Sequence, residues 1–378
     1  VVSVINPESK VKILLDAHID EIGLVISNIK ADGRCKMQSV GSIRPALYLG
    51  MQVQVVTKNG IIDGVIAQYR PIQADKVETS ELELDLGTFS KEESEKLVSI
   101  GDYVLSKASM VKLQNNNYAA RAMDDKIGVY SILQALLIAK ELGATQGVYA
   151  SSTVGEETTA NGAVAVANLV EPTMAIVVDV MTDTSSLPSL ENRDLVYLGK
   201  GPAITLGTIM NKKLKELIEK VAKENNIPIQ YTNSGNRTWT NADQIHFVDK
   251  GIPTMLLNIP LRYMHSSAEV ANMDDVNNLS KLMALVIKEI SEETKAKLRS
   301  FLPAAASVKN PIDMIASAPI EHYTQTLETV IADENVDMIM VIYLPFLGLK
   351  DIDVAKALME IKAKNPQKPI IGVFMTTS

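Results

Sequence analysis

The sequence predicts an α/β domain that is interrupted by a small β-rich segment and followed by a second, smaller parallel α/β unit. One or two strands precede the interruption, and after it apolar runs typical of buried strands alternate with amphipathic helical patterns. Between about residues 31 and 109, short β-rich pieces are separated by turn signals such as Asn59-Gly60 and Asp63-Gly64. From about residue 310 the pattern becomes helix, strand, helix, strand.

The first apolar run, at residues 13–15, predicts a buried strand of a parallel sheet and leads into a polar cluster. Alternation along the strand places His18 and Asp20 on one face, near its carboxyl end. Ligands bind at the carboxyl ends of strands in open α/β sheets. His18 is therefore a candidate metal ligand, and Asp20 a candidate to hold its ring through the other nitrogen. The alternative is a histidine that only ends the strand and bonds to the backbone.

The remaining elements follow from periodicity and from capping signals. In the β-rich segment, Ser90 and Glu93 predict a capped helix at residues 90–97. A long helix opened by Arg121 and its neighbours ends at Gly143. Residues 293–310 mix charged residues with Ala and Pro and predict a linker. The other predicted strands are residues 146–153, 174–178, 254–259, 336–344 and 369–375, and the other helices are residues 161–168, 211–226 and 274–290.

Composition excludes several classes of protein. With 378 residues, 46% of them hydrophobic and 22% charged, the chain buries a sizeable core in two or three domains. A net charge of -8 without a basic run argues against nucleic acid as the main partner. The single cysteine, Cys35, allows no disulfide framework within the chain, which is typical of a reducing cytoplasm. Because neither a membrane span nor a signal peptide is visible, we expect a cytoplasmic protein without membrane partners.

Imidazole and carboxylate groups recur at strand ends, or just past them, at five positions. Two histidines and three carboxylates without a thiolate suit Zn, Co or Mn rather than Ca or a structural zinc. One catalytic metal needs about three protein ligands, whereas five ligands with one bridging carboxylate fit two metals roughly 3.5–4 Å apart. Glu156, directly before one of the five, is placed to take a proton from metal-bound water. The five residues are His18, Asp124, Glu157, Asp179 and His265.

Each candidate also has a plain structural alternative. Asp124 with Asp125 favours the start of a helix through the helix dipole. The Glu156-Glu157 pair suits a solvated turn, and Asp179 the start of a loop. The coincidence of all five is what indicates a metal site, because the chain has only four histidines and two of them belong to the set.

Four segments together resemble the motifs of TET-type metallo-aminopeptidases, the dinuclear-metal family that includes glutamyl aminopeptidase. The resemblance spans about residues 11–290, and some members of the family carry an endoglucanase label. The segments are Asp16-Ala17-His18-Ile19-Asp20-Glu21-Ile22-Gly23, Arg121-Ala122-Met123-Asp124-Asp125-Lys126, Thr153-Val154-Gly155-Glu156-Glu157 and Arg262-Tyr263-Met264-His265-Ser266.

This resemblance implies a fold, an activity and an assembly. Residues 1–30 and 110–295 are expected to form a phosphorylase/hydrolase-like three-layer catalytic domain, with residues 31–109 as an inserted β-rich dimerisation domain. The implied activity is hydrolysis of peptides at their N-terminal residue, with two divalent metal ions per chain, Zn or Co. The implied assembly is a homo-oligomer of dimers, often a dodecameric tetrahedral shell.

By position, the resemblance also gives every candidate a role. Glu156 is the expected general base and acid acting on a water that bridges the metals, and Asp20 is expected to orient His18. The expected metal ligands are Asp124, which bridges both metals, His18 and Asp179 on one metal, and Glu157 and His265 on the other.

Three features depart from the family. Its members carry a helix and strands ahead of the His18 strand, so this chain, which begins with Val1, is interpreted as N-terminally truncated. Thr240-Asn241-Ala242 stands where the family tends to have Thr-Asp-Ala, so details of the substrate pocket are expected to differ, and His246 is interpreted as structural. Residues 301–378 resemble part of an ADP-forming acyl-CoA synthetase but have no phosphate-binding Gly-rich loop, and are expected to be a non-catalytic appendage.

Two other functions compete with the aminopeptidase. A glycoside hydrolase, as the endoglucanase label suggests, needs two carboxylates flanking a sugar and no metal. Aromatic residues for sugar stacking are scarce, at 4%, with Trp239 the sole tryptophan. The second alternative is a catalytically inactive relic with a role in assembly only. Sensitivity to a chelator separates the aminopeptidase from the first alternative, and metal content separates it from the second.

Overall fold

A computed structural model describes residues 1–67, 76–186, 195–299, 312–314, 318–333, 336, 338–343 and 351–374. The described helices are α1 (Lys91–Leu97), α2 (Met123–Glu141), α3 (Asn161–Val170), α4 (Lys212–Glu224), α5 (Ala242–Ile245), α6 (Met273–Arg299), α7 (Ile320–Ile331) and α8 (Asp351–Lys364). The described strands are β1 (Val2–Ile5), β2 (Lys12–His18), β3 (Gly23–Ile29), β4 (Cys35–Val40), β5 (Met51–Thr57), β6 (Gly60–Ile66), β7 (Glu83–Asp85), β8 (Tyr103–Ser106), β9 (Val111–Lys112), β10 (Asn117–Ala120), β11 (Gly147–Thr153), β12 (Met174–Thr182), β13 (Ala203–Gly207), β14 (Gln230–Ser234), β15 (Thr254–Arg262), β16 (Glu269–Asn272), β17 (Ile339–Tyr343) and β18 (Ile370–Phe374).

The large sheet has a parallel centre in which β11, β2, β12 and β15 are neighbours in that order. Antiparallel strands extend it on both sides, with β1 next to β11 and with β16, β10 and β9 beyond β15. Every residue of β2 after Lys12 is buried, which explains its continuous apolar sequence. The carboxyl ends of the four central strands therefore meet at one edge of the sheet.

Helices cover this sheet. α2 packs on β2, β11 and β12 and against α6, whereas α3 and α5 pack on each other and contact β11 and β15. Gly143, with φ +76°, follows the end of α2, as the sequence predicted. Within the described part of the chain, no helix combines the length and the apolar character that a membrane span requires.

The β-rich segment is a closed barrel with the strand order β3-β4-β7-β6-β5-β8 and a hydrophobic core of its own. The barrel begins before the predicted boundary at residue 31, because β3 pairs with β4 and β8 rather than with the large sheet. At the N-terminus of α1, the Ser90 hydroxyl accepts the N–H of Glu93 as predicted. The Glu93 carboxylate accepts the N–H of Phe89, one residue before the cap.

The C-terminal unit confirms the predicted alternation of helices and strands. β17 and β18 pair in parallel, and with α7 and α8 they enclose a separate core that includes Leu327, Tyr343 and Val354. The predicted linker is wrong for residues 293–299, which continue α6, because this stretch is rich in strong helix formers such as Lys, Ala and Leu. Linker residues 300–310 lie outside the described residues.

Candidate metal centre and active site

The five predicted ligands come from different elements that end at the same edge of the large sheet. His18 is the last residue of β2, and its register partner Thr153 is the last residue of β11, after which Glu157 follows in a turn. Asp124 lies at the start of α2, where its φ and ψ are not yet helical. His265, with φ +62°, follows β15. The parallel strand order thus brings together residues that are far apart in the chain.

Asp179 differs from its predicted position. The sequence placed it at the end of an apolar strand, but β12 continues to Thr182, and Asp179 pairs with Asn258 of β15. The strand extends further because residues 180–182 still pair with β15. Asp179 is nonetheless buried and faces the same cluster.

The ligand atoms fall into two groups that share one residue. The atoms of His18, Asp124 and Asp179 all lie within 4.8 Å of one another, and so do those of Asp124, Glu157 and His265. Asp124 Oδ1 is 3.0 Å from His18 Nε2, and Asp124 Oδ2 is 3.2 Å from His265 Nε2. One carboxylate therefore faces both groups, with one oxygen toward each, which is the geometry of a bridging ligand.

More carboxyl groups meet here than the two imidazoles can neutralise. Burial raises the pKa of Glu156 to about 7 and that of Glu157 to about 8. Burial also raises the pKa values of Asp125 and Asp179 well above their ordinary range. Because several buried like charges are costly without a counter-charge, the cluster is suited to cations.

The pKa values of Asp124 and of the two imidazoles, by contrast, shift so that the charged forms of these groups are favoured. Burial raises the pKa of Asp124, but hydrogen bonds from His18 and His265 outweigh it and lower the value to about 2. The hydrogen bond to Asp124 raises the pKa of His265 to about 9. Burial lowers the pKa of His18, yet its hydrogen bonds to Asp124 and Asp20, together with the nearby carboxylates, outweigh burial and hold the pKa well above the usual range. Asp124 is thus the carboxylate that stays ionised, between two imidazoles whose raised pKa values favour their charged form.

The donor set fits divalent metals. Glu157 Oε1 and Asp125 Oδ2 are buried and have no hydrogen-bond partner among the described residues. Buried oxygens of this kind are rare unless an ion or a water satisfies them. Two imidazoles and three carboxylates without a thiolate are also the donors that Zn, Co and Mn accept. The residues present therefore fit two ions, one in each group.

Asp20 does not hold the ring of His18 mainly through its carboxylate. His18 Nδ1 lies 3.0 Å from the backbone carbonyl of Asp20 and 3.6 Å from its carboxylate. The Asp20 carboxylate instead accepts the backbone N–H groups of Glu156 and Glu157, each at 3.3 Å. The chain has left the strand after His18, so the alternation used for the prediction no longer applies. Asp20 therefore fixes the turn that carries both glutamates.

Glu269 belongs to the site, although the sequence did not indicate it. Its side chain is buried, and its two oxygens accept the backbone N–H groups of Asp124, at 3.1 Å, and His265, at 2.7 Å. Burial raises the pKa of Glu269 to about 7. One side chain thus fixes two ligand-bearing segments to each other. No spacing rule reveals such a residue, because it contacts backbone rather than side chains.

Asn241 also has a different place from the one expected. Its amide donates to the carboxylate of Asp16 at 2.8 Å and to the hydroxyl of Thr153 at 2.9 Å. These residues are buried beside the end of β2, so the amide of Asn241 stabilises the strand that carries His18. His246 Nδ1 donates to the carbonyl of Ala242 at 3.0 Å, in agreement with a structural role.

Comparison with known proteins identifies the family. A family model described as M42 glutamyl aminopeptidase matches residues 1–282. The chain belongs to this family. The M42 chain is 29% identical over 291 residues to a lysyl aminopeptidase of Pyrococcus furiosus, covering 74% of the chain and 82% of the relative. It is 33% identical over 282 residues to a putative aminopeptidase of Acetivibrio thermocellus, covering 73% and 82%. The aminopeptidase resemblance is confirmed.

Solved structures confirm the fold. A TET aminopeptidase from Thaumarchaeota archaeon SCGC AB-539-E09 matches with a TM-score of 0.71 and 30% identity, covering 76% of the M42 chain and 84% of that structure. The TET1 peptidase of Pyrococcus horikoshii, described as assembling into a tetrahedron or a large octahedral shell, matches with a TM-score of 0.67 and 31% identity, covering 76% and 86%. A Thermotoga maritima structure labelled endoglucanase matches with a TM-score of 0.61 and 30% identity, over 76% and 86%.

The C-terminal resemblance is confirmed as well. A match of 94 residues is 39% identical to the alpha subunit of an ADP-forming acetate–CoA ligase II from Pyrococcus furiosus. It covers 24% of the M42 chain but only 21% of that subunit. The similarity therefore extends to a fragment of the ligase and carries no argument for its activity.

Proposed function

We propose that the chain is a dinuclear metallo-aminopeptidase that releases N-terminal residues from peptides. One observation carries the proposal, namely that Asp124 belongs to both ligand groups and directs one oxygen to each. His18 and Asp179 would complete one metal site, and Glu157 and His265 the other. Zn or Co suits this donor set best.

Bound divalent ions supply Lewis-acid polarisation of a peptide carbonyl and lower the pKa of water in the site. The remaining work belongs to the side chains. Glu156 lies outside both ligand groups, and its Oε2 is 3.8 Å from His18 Nε2, so its carboxylate borders the first group without joining it. Its pKa of about 7, raised by burial, suits a group that accepts a proton at neutral pH and returns it to the leaving amine. Asp20 would position Glu156 through its backbone N–H.

The proposal extends to the other units of the chain. The barrel would be the oligomerisation domain, because the hairpin of β5 and β6 exposes apolar side chains at Val56, Ile61 and Val65. Assembly through a dimer into a dodecameric shell is proposed by analogy with the TET structures. The C-terminal unit would be a non-catalytic appendage, and a cytoplasmic location is proposed for the whole chain.

The test combines metal content with activity. We expect two metal ions per chain and release of amino-acid p-nitroanilides that stops on chelation and returns when metal is added. Asp124→Ala should lose both metals and activity, because it removes the shared ligand. Asp63→Ala, which changes an exposed barrel aspartate, is the matched control and should lose neither.

Other outcomes would favour the alternatives. An Asp124→Ala protein with full activity would contradict the mechanism. A protein that never holds metal would be an assembly-only relic. Chelator-resistant cleavage of a β-glucan would support the endoglucanase label instead.

A further inference from the structure

A pocket opens beside the second ligand group. Asp124, Glu157 and His265 form its catalytic side. Leu47 and Tyr48 also line it, on the 3₁₀ helix Pro45–Tyr48 that connects β4 to β5 of the barrel. We call this cavity the barrel-side pocket. It borders the second ligand group and contains neither His18 nor Asp179.

The charged side chains of the barrel-side pocket, other than the ligands themselves, are already paired. Glu21 binds Arg121 Nε at 2.8 Å and Lys126 Nζ at 2.6 Å. Arg121 also donates through Nη1 to the carbonyl of Ser106 in the barrel, at 2.6 Å. Both oxygens of Glu269 accept backbone N–H groups. A charged guest would therefore find no free counter-charge in these residues and would lose its hydration.

The rest of the wall is mostly apolar. Ile22, Leu47, Met51 and Ala122 line the pocket together with the ring of Tyr48. Tyr48 is buried, whereas Leu47 is 44% exposed and stands at the mouth. Contact with these side chains favours an uncharged, apolar guest, because its burial removes apolar surface from water.

Burial of the two ligand groups indicates which side of the scissile bond this guest occupies. All three residues of the first group are buried, whereas the side chain of His265 in the second group is 23% exposed. An aminopeptidase accommodates a single residue on the amino side of the scissile bond, and the rest of the peptide must leave toward solvent. The buried first group therefore suits the N-terminus of the substrate. The rest of the substrate peptide then leaves across the more exposed second group, beside the barrel-side pocket.

We infer that the barrel-side pocket binds the side chain of the second substrate residue and selects apolar over charged side chains there. This inference rests on the proposed aminopeptidase function. It assigns substrate recognition to the connection between β4 and β5 of the barrel, with Leu47 as the residue at the mouth that tunes specificity.

The test uses tripeptides Leu-X-Gly in which X is Leu, Gly, Lys or Glu, with leucine p-nitroanilide as a substrate that has no second residue. For the metal-loaded wild-type protein, kcat/KM should be at least about tenfold higher for X = Leu than for each of the others, since apolar contacts in a pocket discriminate by about 10–200-fold. Calorimetric binding of the same tripeptides to a Glu156→Gln protein should follow the same order. Leu47→Glu should shift the preference from Leu toward Lys at the second position.

Leu97→Glu is the matched control, because Leu97 is 39% exposed, lies on α1 and does not line the pocket. It should keep the wild-type order of tripeptides. Equal rates for the four tripeptides, with leucine p-nitroanilide cleaved, would overturn the inference and leave the proposed function intact. The same result for Leu47→Glu and Leu97→Glu would also overturn it. A protein that cleaves none of the amino-acid p-nitroanilides and binds none of the tripeptides would overturn both.

Discussion

Two adjacent glutamates give the sharpest prediction, because the same substitution should disable the enzyme in two different ways. Glu157→Gln removes a charged oxygen ligand from the second group and leaves Asp124 and His265 there. Glu156→Gln leaves both groups complete. In each variant the backbone N–H that donates to Asp20 is retained, so the turn itself should keep its shape.

The magnitudes follow from these positions. Loss of an outer-shell partner alone costs about 10–100-fold in metal affinity, so loss of the Glu157 carboxylate should cost at least about 100-fold at the second site. Loss of a general acid and base costs about 10²–10⁴-fold in kcat, or about 3–5 kcal/mol of barrier. We therefore expect Glu157→Gln to hold one metal per chain, and Glu156→Gln to hold two while its kcat falls by that factor.

The assay is metal analysis of dialysed protein, paired with kcat for leucine p-nitroanilide in excess metal. High metal concentration should restore part of the activity of Glu157→Gln and none of that of Glu156→Gln. If both variants lost metal equally, or if Glu156→Gln kept a kcat within a few-fold of wild type, the separation of ligand and base would be wrong.

Three further predictions concern stability, measured as the free energy of unfolding in urea. Arg121→Met should cost about 1.5–3 kcal/mol, because a charged hydrogen bond to a barrel carbonyl is lost, whereas Lys126→Met should cost under about 1 kcal/mol as a half-exposed pair. Asp183→Asn should destabilise at neutral pH, with the difference from wild type closing as pH falls below the ordinary aspartate pKa of 3.8. Gly162→Ala should cost about 1–3 kcal/mol, since its new methyl would meet a backbone carbonyl at 2.1 Å.

Each of these has its own control. The sign for Asp183 follows because burial raises its pKa but hydrogen bonds outweigh burial, so the folded value lies below the ordinary 3.8 and its stabilisation exists only at higher pH. A difference in the free energy of unfolding between wild type and Asp183→Asn that grew in acid would contradict this. For the glycine, Gly235→Ala meets nothing within 4 Å and should change stability by less than about 1 kcal/mol. Equal costs for Arg121→Met and Lys126→Met would show that the barrel contact is unimportant.

The sequence was sufficient to predict the central strands and the residues that gather at their ends. Rules for strand ends suffice for His18 and Glu157, because their positions depend on the local chain and on parallel pairing. The start of the barrel was not predictable in the same way. The apolar run Gly23–Ile29 forms a strand on local grounds, but the choice between two sheets depends on its pairing with β8, far along the chain.

Hydrogen bonds from side chains to the backbone were also not predictable from the sequence. Glu269 holds the segments of Asp124 and His265 by their N–H groups, and every residue but proline has such a group. Asp20 was identified as a candidate, yet its carboxylate bonds to the turn of Glu156 rather than mainly to the ring of His18. Residue type and spacing predict side-chain ligands well, whereas a residue whose side chain bonds to backbone N–H groups leaves no pattern in the sequence.

The pairing of β3 with β8 has a consequence for how the chain folds. Leu24 lies opposite Val104, about 80 residues later in the chain. The chain therefore enters and leaves the barrel through two adjacent strands. Each doubling of a flexible loop costs about 0.6 kcal/mol in closure entropy. Once the barrel has formed, the flexible path from His18 to Asp124 shortens about fourfold, or by roughly two doublings, so about 1 kcal/mol less closure entropy opposes the meeting of β2 with α2. Early formation of the barrel would therefore speed the assembly of His18 with Asp124.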